Sequence, residues 1–147
     1  MHSLQLLSQN LRLISKLYAR LLSLEVPALD SQAHFSAMLA LAEQATPITQ
    51  NQLAEILKID KSRGAFVVLA LLKANLIEIE VNSADRREHL VRLSAGGIDM
   101  AKVILEKVKY IDDLSKTGIS PNDLALFYNV SQKIERNLAA NIGKKVI

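Results

Sequence analysis

The sequence contains no cysteine and no tryptophan, and it has few glycines, prolines and aromatic residues. Of its 147 residues, five are glycine and three are proline, and the aromatic fraction is 4%. The absence of cysteine excludes a disulfide framework, a thiolate zinc site and a thiol redox sensor. The three histidines, His2, His34 and His89, are scattered along the chain. We therefore expect no metal and no other cofactor.

The leucine-rich N-terminus has no apolar run long enough for a targeting segment. Arg12, Lys16 and Arg20 interrupt it at every fourth residue. A signal peptide needs about 7–15 unbroken apolar residues, and a membrane span needs about 20. We therefore expect a cytoplasmic protein with no membrane contact.

Composition and charge favour a globular protein that is not an enzyme. Half of the residues (50%) are hydrophobic, which predicts a sizeable core in a single domain over residues 1–147. The net charge is +3, and residues 58–92 carry seven basic and five acidic groups. That excess fits either a polyanion-binding surface or an ordinary solvated one. The sequence offers no paired carboxylates, Ser-His-Asp triad or phosphate-binding loop, so we expect no catalytic activity.

Both ends of the chain have the apolar periodicity of long helices. One seam repeats at intervals of 3-4-3-4-3 through Leu4, Leu7, Leu11, Ile14, Tyr18 and Leu21. A second seam repeats at intervals of 3-4-3 through Ala101, Ile104, Val108 and Ile111. The pattern predicts helices over about 2–24 and 95–143, the last of which starts at a Ser120-Pro121 cap. Because these helices have more apolar residues than one packing face requires, we expect them to form a homodimer.

The middle of the chain predicts a helix-turn-helix. The pair Asp30-Ser31 can cap a helix over about 31–44, which is followed by a short break at 46–49. Thr49 and Asp60 are then plausible caps for two short helices joined by a tight turn.

A change of period after the second short helix predicts a β-hairpin. Apolar and polar residues alternate over 77–82, a polar loop follows, and a return strand covers about 90–93. A hairpin directly after a helix-turn-helix makes a winged helix, here over about 30–93. The predicted fold is therefore mainly α with a small β-wing, the winged helix-turn-helix being flanked by N- and C-terminal dimerisation helices.

Short motifs within this architecture resemble the multiple-antibiotic-resistance regulator (MarR) family of bacterial transcription factors. They are Ile48-Thr49-Gln50-Asn51-Gln52-Leu53-Ala54, Asp60-Lys61-Ser62, Asp85-Arg86-Arg87 and Leu93-Ser94-Ala95-Gly96-Gly97. The wing motif with its following Leu-Ser-x-x-Gly step is the most specific of them.

The resemblance implies a dimeric, sequence-specific DNA-binding regulator, expected to be a ligand-responsive repressor. Its partners would be a second copy of the chain, double-stranded DNA with a pseudo-palindromic site, and a small aromatic or anionic effector. The recognition helix would enter the major groove and the wing the adjacent minor groove.

The first turn of the second short helix would face the bases. Lys61 and Arg63 can donate to guanine O6 and N7, and Ser62 can bond a base or a phosphate. Thr49 and Gln50, at the start of the preceding helix, can present backbone amides to a phosphate.

The wing carries two adjacent arginines. Arg87 matches the arginine that the family inserts into the minor groove, and a narrow groove attracts such a cation. Asp85 would orient Arg87 through an ion pair, and Arg86 would contact a phosphate.

The recognition helix departs from the family pattern because residues 65–72 are eight consecutive apolar residues. Phe66 on this run has three possible roles: contact with thymine methyl groups, contact with a protein, or burial under a loop. The second role supports an alternative function, a winged-helix protein-interaction module with weakened or lost DNA binding. Gly64 and Lys58 also depart, since a branched residue and a glycine are usual there.

Four side chains are candidates for lining an effector crevice between the dimerisation helices and the winged helix. They are Arg12, Tyr18, His34 and Met38. Helical spacing alone also fits a plain core role for Met38 beside Phe35, and a hydrogen-bonded structural role for His34.

Overall fold

The computed structural model describes residues 5–29 and 31–142, which form six helices and three strands. In chain order these are α1 (Leu7–Glu25), α2 (Gln32–Ala42), β1 (Ile48–Thr49), α3 (Gln50–Leu57), α4 (Lys61–Lys73), β2 (Ile77–Val81), β3 (His89–Leu93), α5 (Ala95–Ser115) and α6 (Pro121–Ile142). This confirms the predicted class, mainly α with a small β-wing. Leu4 of the predicted seam, Asp30 of the predicted cap and the predicted helix end at 143 lie outside the described residues.

The chain divides into two compact units, one up to Ile111 and one from Asp112 onward. The first unit holds α1 to β3 and most of α5. None of the described helices combines the length and the apolar character needed to cross a membrane.

The core of the first unit lies between α2, α4, the sheet and α5. Phe35 and Met38 of α2, Leu71 of α4 and Ile104 of α5 are at most 1% exposed. The α5 seam is confirmed, because Ala101, Ile104 and Ile111 are buried and Val108 packs against them.

Helix α1 contributes little to this core. Leu22 is its one buried residue. The Tyr18 hydroxyl donates to the Val108 carbonyl oxygen at 3.1 Å, and Lys107 Nζ lies 3.1 Å from a Glu25 carboxylate oxygen. These contacts fix α1 on α5, and they leave seven apolar side chains of α1 exposed: Leu7, Leu11, Leu13, Ile14, Leu17, Leu21 and Leu24.

Both caps of the helix-turn-helix form as predicted. The Thr49 hydroxyl accepts from the Gln52 amide at 3.1 Å, and Asp60 Oδ1 accepts from the Arg63 amide at 2.8 Å. Lys58 ends α3 in the left-handed region with φ 57°, so a lysine does take the conformation that favours glycine.

Gly64 has a packing reason that periodicity does not reveal. It is buried where α4 meets α3, and an added Cβ would lie 3.0 Å from the Ala54 Cβ. The glycine therefore permits a close approach of the two helices, which offsets its low helix propensity.

The sheet has three strands in the order β1-β3-β2, all antiparallel, where a two-stranded hairpin was predicted. The predicted hairpin forms β2 and β3, with Ile79 opposite Val91. The predicted break at 46–49 is wrong at its end, because Ile48 pairs with Val91 and Thr49 with Leu90. Thr49 thus ends a strand and caps a helix at once.

The start of α5 is tied to the end of α4. Ser94 Oγ accepts from the Gly97 amide at 3.0 Å and donates to the Asn75 carbonyl at 2.7 Å. The Ser94 amide donates to the Leu76 carbonyl at 3.0 Å. Gly97 is buried directly against that carbonyl.

The second unit consists of the end of α5 and α6. The Ser120 hydroxyl caps α6 by accepting from the Asp123 amide at 3.1 Å. The side chain of Asp112 accepts a hydrogen bond from Lys116 and raises the pKa of that ammonium. No residue of α6 is buried, and six of its large apolar side chains are exposed: Leu126, Phe127, Tyr128, Val130, Leu138 and Ile142.

Candidate nucleic-acid interface

The predicted base-contacting residues lie on the exposed first turn of α4. Lys61, Ser62 and Arg63 are all exposed. The Asp60 cap accepts from the Arg63 amide, so a hydrogen bond within the chain holds the geometry of this turn. Helix α4 contains three basic residues, with Lys73 in its last turn, and no acidic residue.

At the start of α3, one of the two predicted amide donors is already used. The Thr49 amide donates to Gln52 Oε1 at 2.8 Å, so it is not free for a phosphate. Gln50 is the first helical residue, where amides lack a partner within the helix. Of the two predicted amide donors, Gln50 is therefore the remaining candidate.

The wing tip is held by hydrogen bonds within the loop. The Asn82 amide donates to the Glu88 carbonyl, and the Glu88 amide to the Asp85 carbonyl, both at 3.0 Å. Asp85 Oδ1 accepts from the Arg87 amide at 3.0 Å and faces Arg87 Nε at 3.4 Å. Asp85 thus lies where it can orient Arg87, whose side chain is 93% exposed. Arg86 is exposed beside it.

A small polar depression of about 150 Å³ joins the start of α3 to the base of the wing. Its lining consists of Thr49, Gln50, Asn51, Arg87, Glu88 and His89. Sequence reasoning missed Asn51 and His89. The pairing of Thr49 with Leu90 places them there, and a sequence prediction without β1 gives no signal for it.

The apolar run of α4 has one face in the core and another in solvent. Val67, Val68 and Leu71 are buried. Phe66 is 73% exposed and Leu69 is 46% exposed. Burial of Phe66 under a loop, one of the three possibilities, is therefore wrong for this chain.

A larger cavity of about 660 Å³ lies between the end of α2, the loop after it, β3 and α5. Its apolar lining includes Leu39, Leu93 and Leu105, and its charged residues are Glu43, Arg92 and Lys102. Arg92 also pairs with Glu78 at 3.0 Å.

None of the four predicted effector residues lines this cavity. Met38 is fully buried in the core, and Tyr18 bonds the Val108 carbonyl. His34 is half-buried near the start of α2, and Arg12 is exposed on α1. The cavity instead takes its lining from the end of α2, the loop after it, β3 and α5.

Known protein families give no match to this sequence, and neither do the curated proteins. Solved structures do match. A SlyA-like transcription regulator from Listeria monocytogenes has a TM-score of 0.84 at 19% identity, with 97% of each chain covered.

Two other similar structures are regulators studied with small molecules. The PcaV transcriptional regulator from Streptomyces coelicolor, in complex with its natural ligand, has a TM-score of 0.80 at 17% identity, covering 92% of this chain and 98% of that one. Bordetella bronchiseptica BpsR, whose DNA binding is regulated by 6-hydroxynicotinic acid, has a TM-score of 0.77 at 17% identity, covering 92% and 96%. The resemblance read from the motifs is thus confirmed at the level of architecture: this chain has the winged-helix fold of the MarR and SlyA transcriptional regulators.

Proposed function

We propose that this protein is a homodimeric, sequence-specific DNA-binding transcriptional regulator of the MarR type, acting in the bacterial cytoplasm as a ligand-responsive repressor. The observation that carries the proposal is the wing. Asp85 braces Arg87, the arginine projects into solvent, and the start of α3 lies beside it. Arg87, held by a carboxylate next to a capped helix N-terminus, suits binding to the phosphates and the minor groove of DNA.

The basic groups divide into base and backbone contacts. Lys61 and Arg63 on the first turn of α4 read base edges in the major groove, with Ser62 between them. Arg87 enters the minor groove, and Arg86 and the Gln50 amide hold phosphates.

Arg87→Ala is expected to weaken binding to the operator by about 1–3 kcal/mol, the range of one good contact. Asp85→Ala is expected to cost less, because Asp85 holds the Arg87 backbone and orients its side chain but makes no DNA contact of its own. Both variants keep their fold, since both positions lie in the wing loop. Fluorescence anisotropy on an operator obtained by genomic selection measures the effect.

Lys109→Ala is the matched control for Arg87→Ala, since it removes an exposed cation of α5 that lies outside the helix-turn-helix and the wing. If Arg87→Ala and Lys109→Ala bind the operator equally well, Arg87 has no role in the groove.

The exposed apolar faces support the homodimer. The seven exposed apolar side chains of α1 and the six of α6 are more than a soluble monomer usually leaves in contiguous patches. We infer that they pack against a second copy, and a two-fold dimer requires a pseudo-palindromic operator.

Sedimentation at micromolar concentration is expected to give a dimer. Leu138→Asp places a charge on an exposed apolar position of α6 and is expected to dissociate it. Asn122→Asp, a polar exchange at the start of α6, serves as the control. A wild-type chain that stays folded and monomeric under these conditions contradicts the proposal.

The larger cavity supports a response to a small effector. Its volume of about 660 Å³ lies within the range of small-molecule sites. The lining is mainly apolar, which suits an aromatic molecule, and Lys102 can pair with an anionic group on it beside Glu43 and the Glu78-paired Arg92. Two regulators of similar structure point the same way, since PcaV is solved with its natural ligand and the DNA binding of BpsR is regulated by 6-hydroxynicotinic acid.

The exposed α4 face gives some support to the alternative function, a protein-interaction module that has lost DNA binding. Salt dependence separates the two. A DNA complex loses affinity steeply with added salt, because each neutralised phosphate releases counterions, whereas an apolar protein interface does not. Absence of any salt-sensitive DNA binding in genomic selection favours the module.

A further inference from the structure

We propose that α4 reads thymine methyl groups, so that each half-site of the operator contains two neighbouring A·T pairs at the centre of the recognition helix. The inference rests on the proposed DNA-binding function and specifies the sequence that the same surface recognises. The readers are Phe66 and Leu69, which together we term the apolar strip.

The apolar strip lies opposite the core. The buried face of α4 is formed by Gly64, Val67, Val68 and Leu71. At about 100° per residue, the point opposite that face falls among four residues, each within about 30° of it. They are Ser62, Phe66, Leu69 and Lys73, in order along the helix, and all four are exposed.

The chemistry of the strip fits only one feature of the major groove. Phe66 and Leu69 cannot donate or accept hydrogen bonds, so they cannot satisfy guanine, cytosine or adenine edges. The C5-methyl group of thymine is the apolar group that the groove displays. Three helical residues span about 4.5 Å along the axis, compared with about 3.4 Å between base pairs, so the two side chains meet neighbouring pairs.

Charge favours DNA over a protein as the occupant. The strip lies between Ser62 at one end and Lys73 at the other, Arg63 lies on one flank, and α4 contains no acidic residue. An apolar strip with Arg63 on its flank and Lys73 at its end suits a polyanion that displays methyl groups.

Replacement of thymine by deoxyuridine tests this directly, because it removes the methyl group and leaves every hydrogen-bonding group in place. Binding of the wild-type protein to its selected operator is compared with binding to the same duplex carrying deoxyuridine in both half-sites. We expect a loss of about fourfold for each methyl group removed from contact. Two methyl groups in each of the two half-sites then give a loss of about 250-fold if the contacts act independently.

Two variants locate the effect on the strip. Phe66→Ala is expected to bind the thymine and deoxyuridine duplexes with a much smaller difference than the wild type. Leu72→Ala removes an exposed apolar residue of the same helix that lies about 90° from the strip, and it is expected to keep the full difference.

The outcomes separate this inference from the function on which it rests. Salt-sensitive binding with equal affinity for both duplexes overturns methyl readout and leaves the regulator intact. Loss of a protein association in Phe66→Ala, with the deoxyuridine effect retained, overturns it in favour of a protein partner. No operator binding by the wild type overturns both.

Discussion

Alanine at Gly97 is expected to destabilise the first unit by about 3 kcal/mol or more. The new Cβ would overlap the Leu76 carbonyl oxygen and lie 2.9 Å from its carbon and 3.3 Å from Leu93 Cδ2. That oxygen accepts from the Ser94 amide, so it cannot move away without loss of a hydrogen bond. Overpacking against side chains costs about 1–3 kcal/mol. The backbone can shift less than side chains can, so the cost at Gly97 is expected to lie at the top of that range or above it.

The neighbouring Gly96 provides a control, because the same Gly→Ala exchange is expected to have no effect there or the opposite effect on stability. At Gly96 an added Cβ has no neighbour nearer than 3.8 Å, which is ordinary contact. Gly96→Ala is therefore expected to be neutral or to stabilise the protein by up to about 1 kcal/mol, through helix propensity. Urea unfolding of both variants at one protein concentration measures the difference. Equal stabilities would show that α5 does not begin against Leu76.

The second large effect is expected from Phe35. This side chain is 1% exposed in the core, so Phe35→Ala is expected to cost about 3–5 kcal/mol. Phe66→Ala makes the same chemical change on a side chain that is 73% exposed, and we expect a change within about 0.5 kcal/mol. Thermal unfolding of the pair checks this. A large loss of stability in Phe66→Ala would mean that α4 turns this residue toward protein.

The parts of the fold that the sequence predicts are those specified within a few residues. Thr49, Asp60, Ser94 and Ser120 each accept from an amide three residues later, so each cap is visible as a local pattern. The β2–β3 hairpin is likewise visible from alternation. Strand β1 is not, because two residues have no periodicity and pair only with residues about 42 positions away.

The candidate site likewise has parts that the sequence predicts and parts that it does not. The wing arginine and its carboxylate are two residues apart, so their pairing is predictable. The occupant of the outward face of α4 is not, because an apolar face suits thymine methyl groups, a protein partner or a covering loop alike. The larger cavity is also invisible in the sequence, since its lining comes from segments as distant as Leu39 and Leu105.

Strand β1 has a consequence for the geometry of recognition. Because Ile48 and Thr49 are hydrogen-bonded to β3, the strand that leads into α3 belongs to the same sheet as the two wing strands that flank the Arg87 loop. In the proposed DNA complex, the wing cannot tilt away from the start of α3 without breaking the β1–β3 pairs, so the protein sets the distance between its two groove contacts. Any mismatch in groove width or twist must then be absorbed by the DNA, at an elastic cost that depends on base sequence. Base pairs that no side chain touches would thereby contribute to the choice of operator.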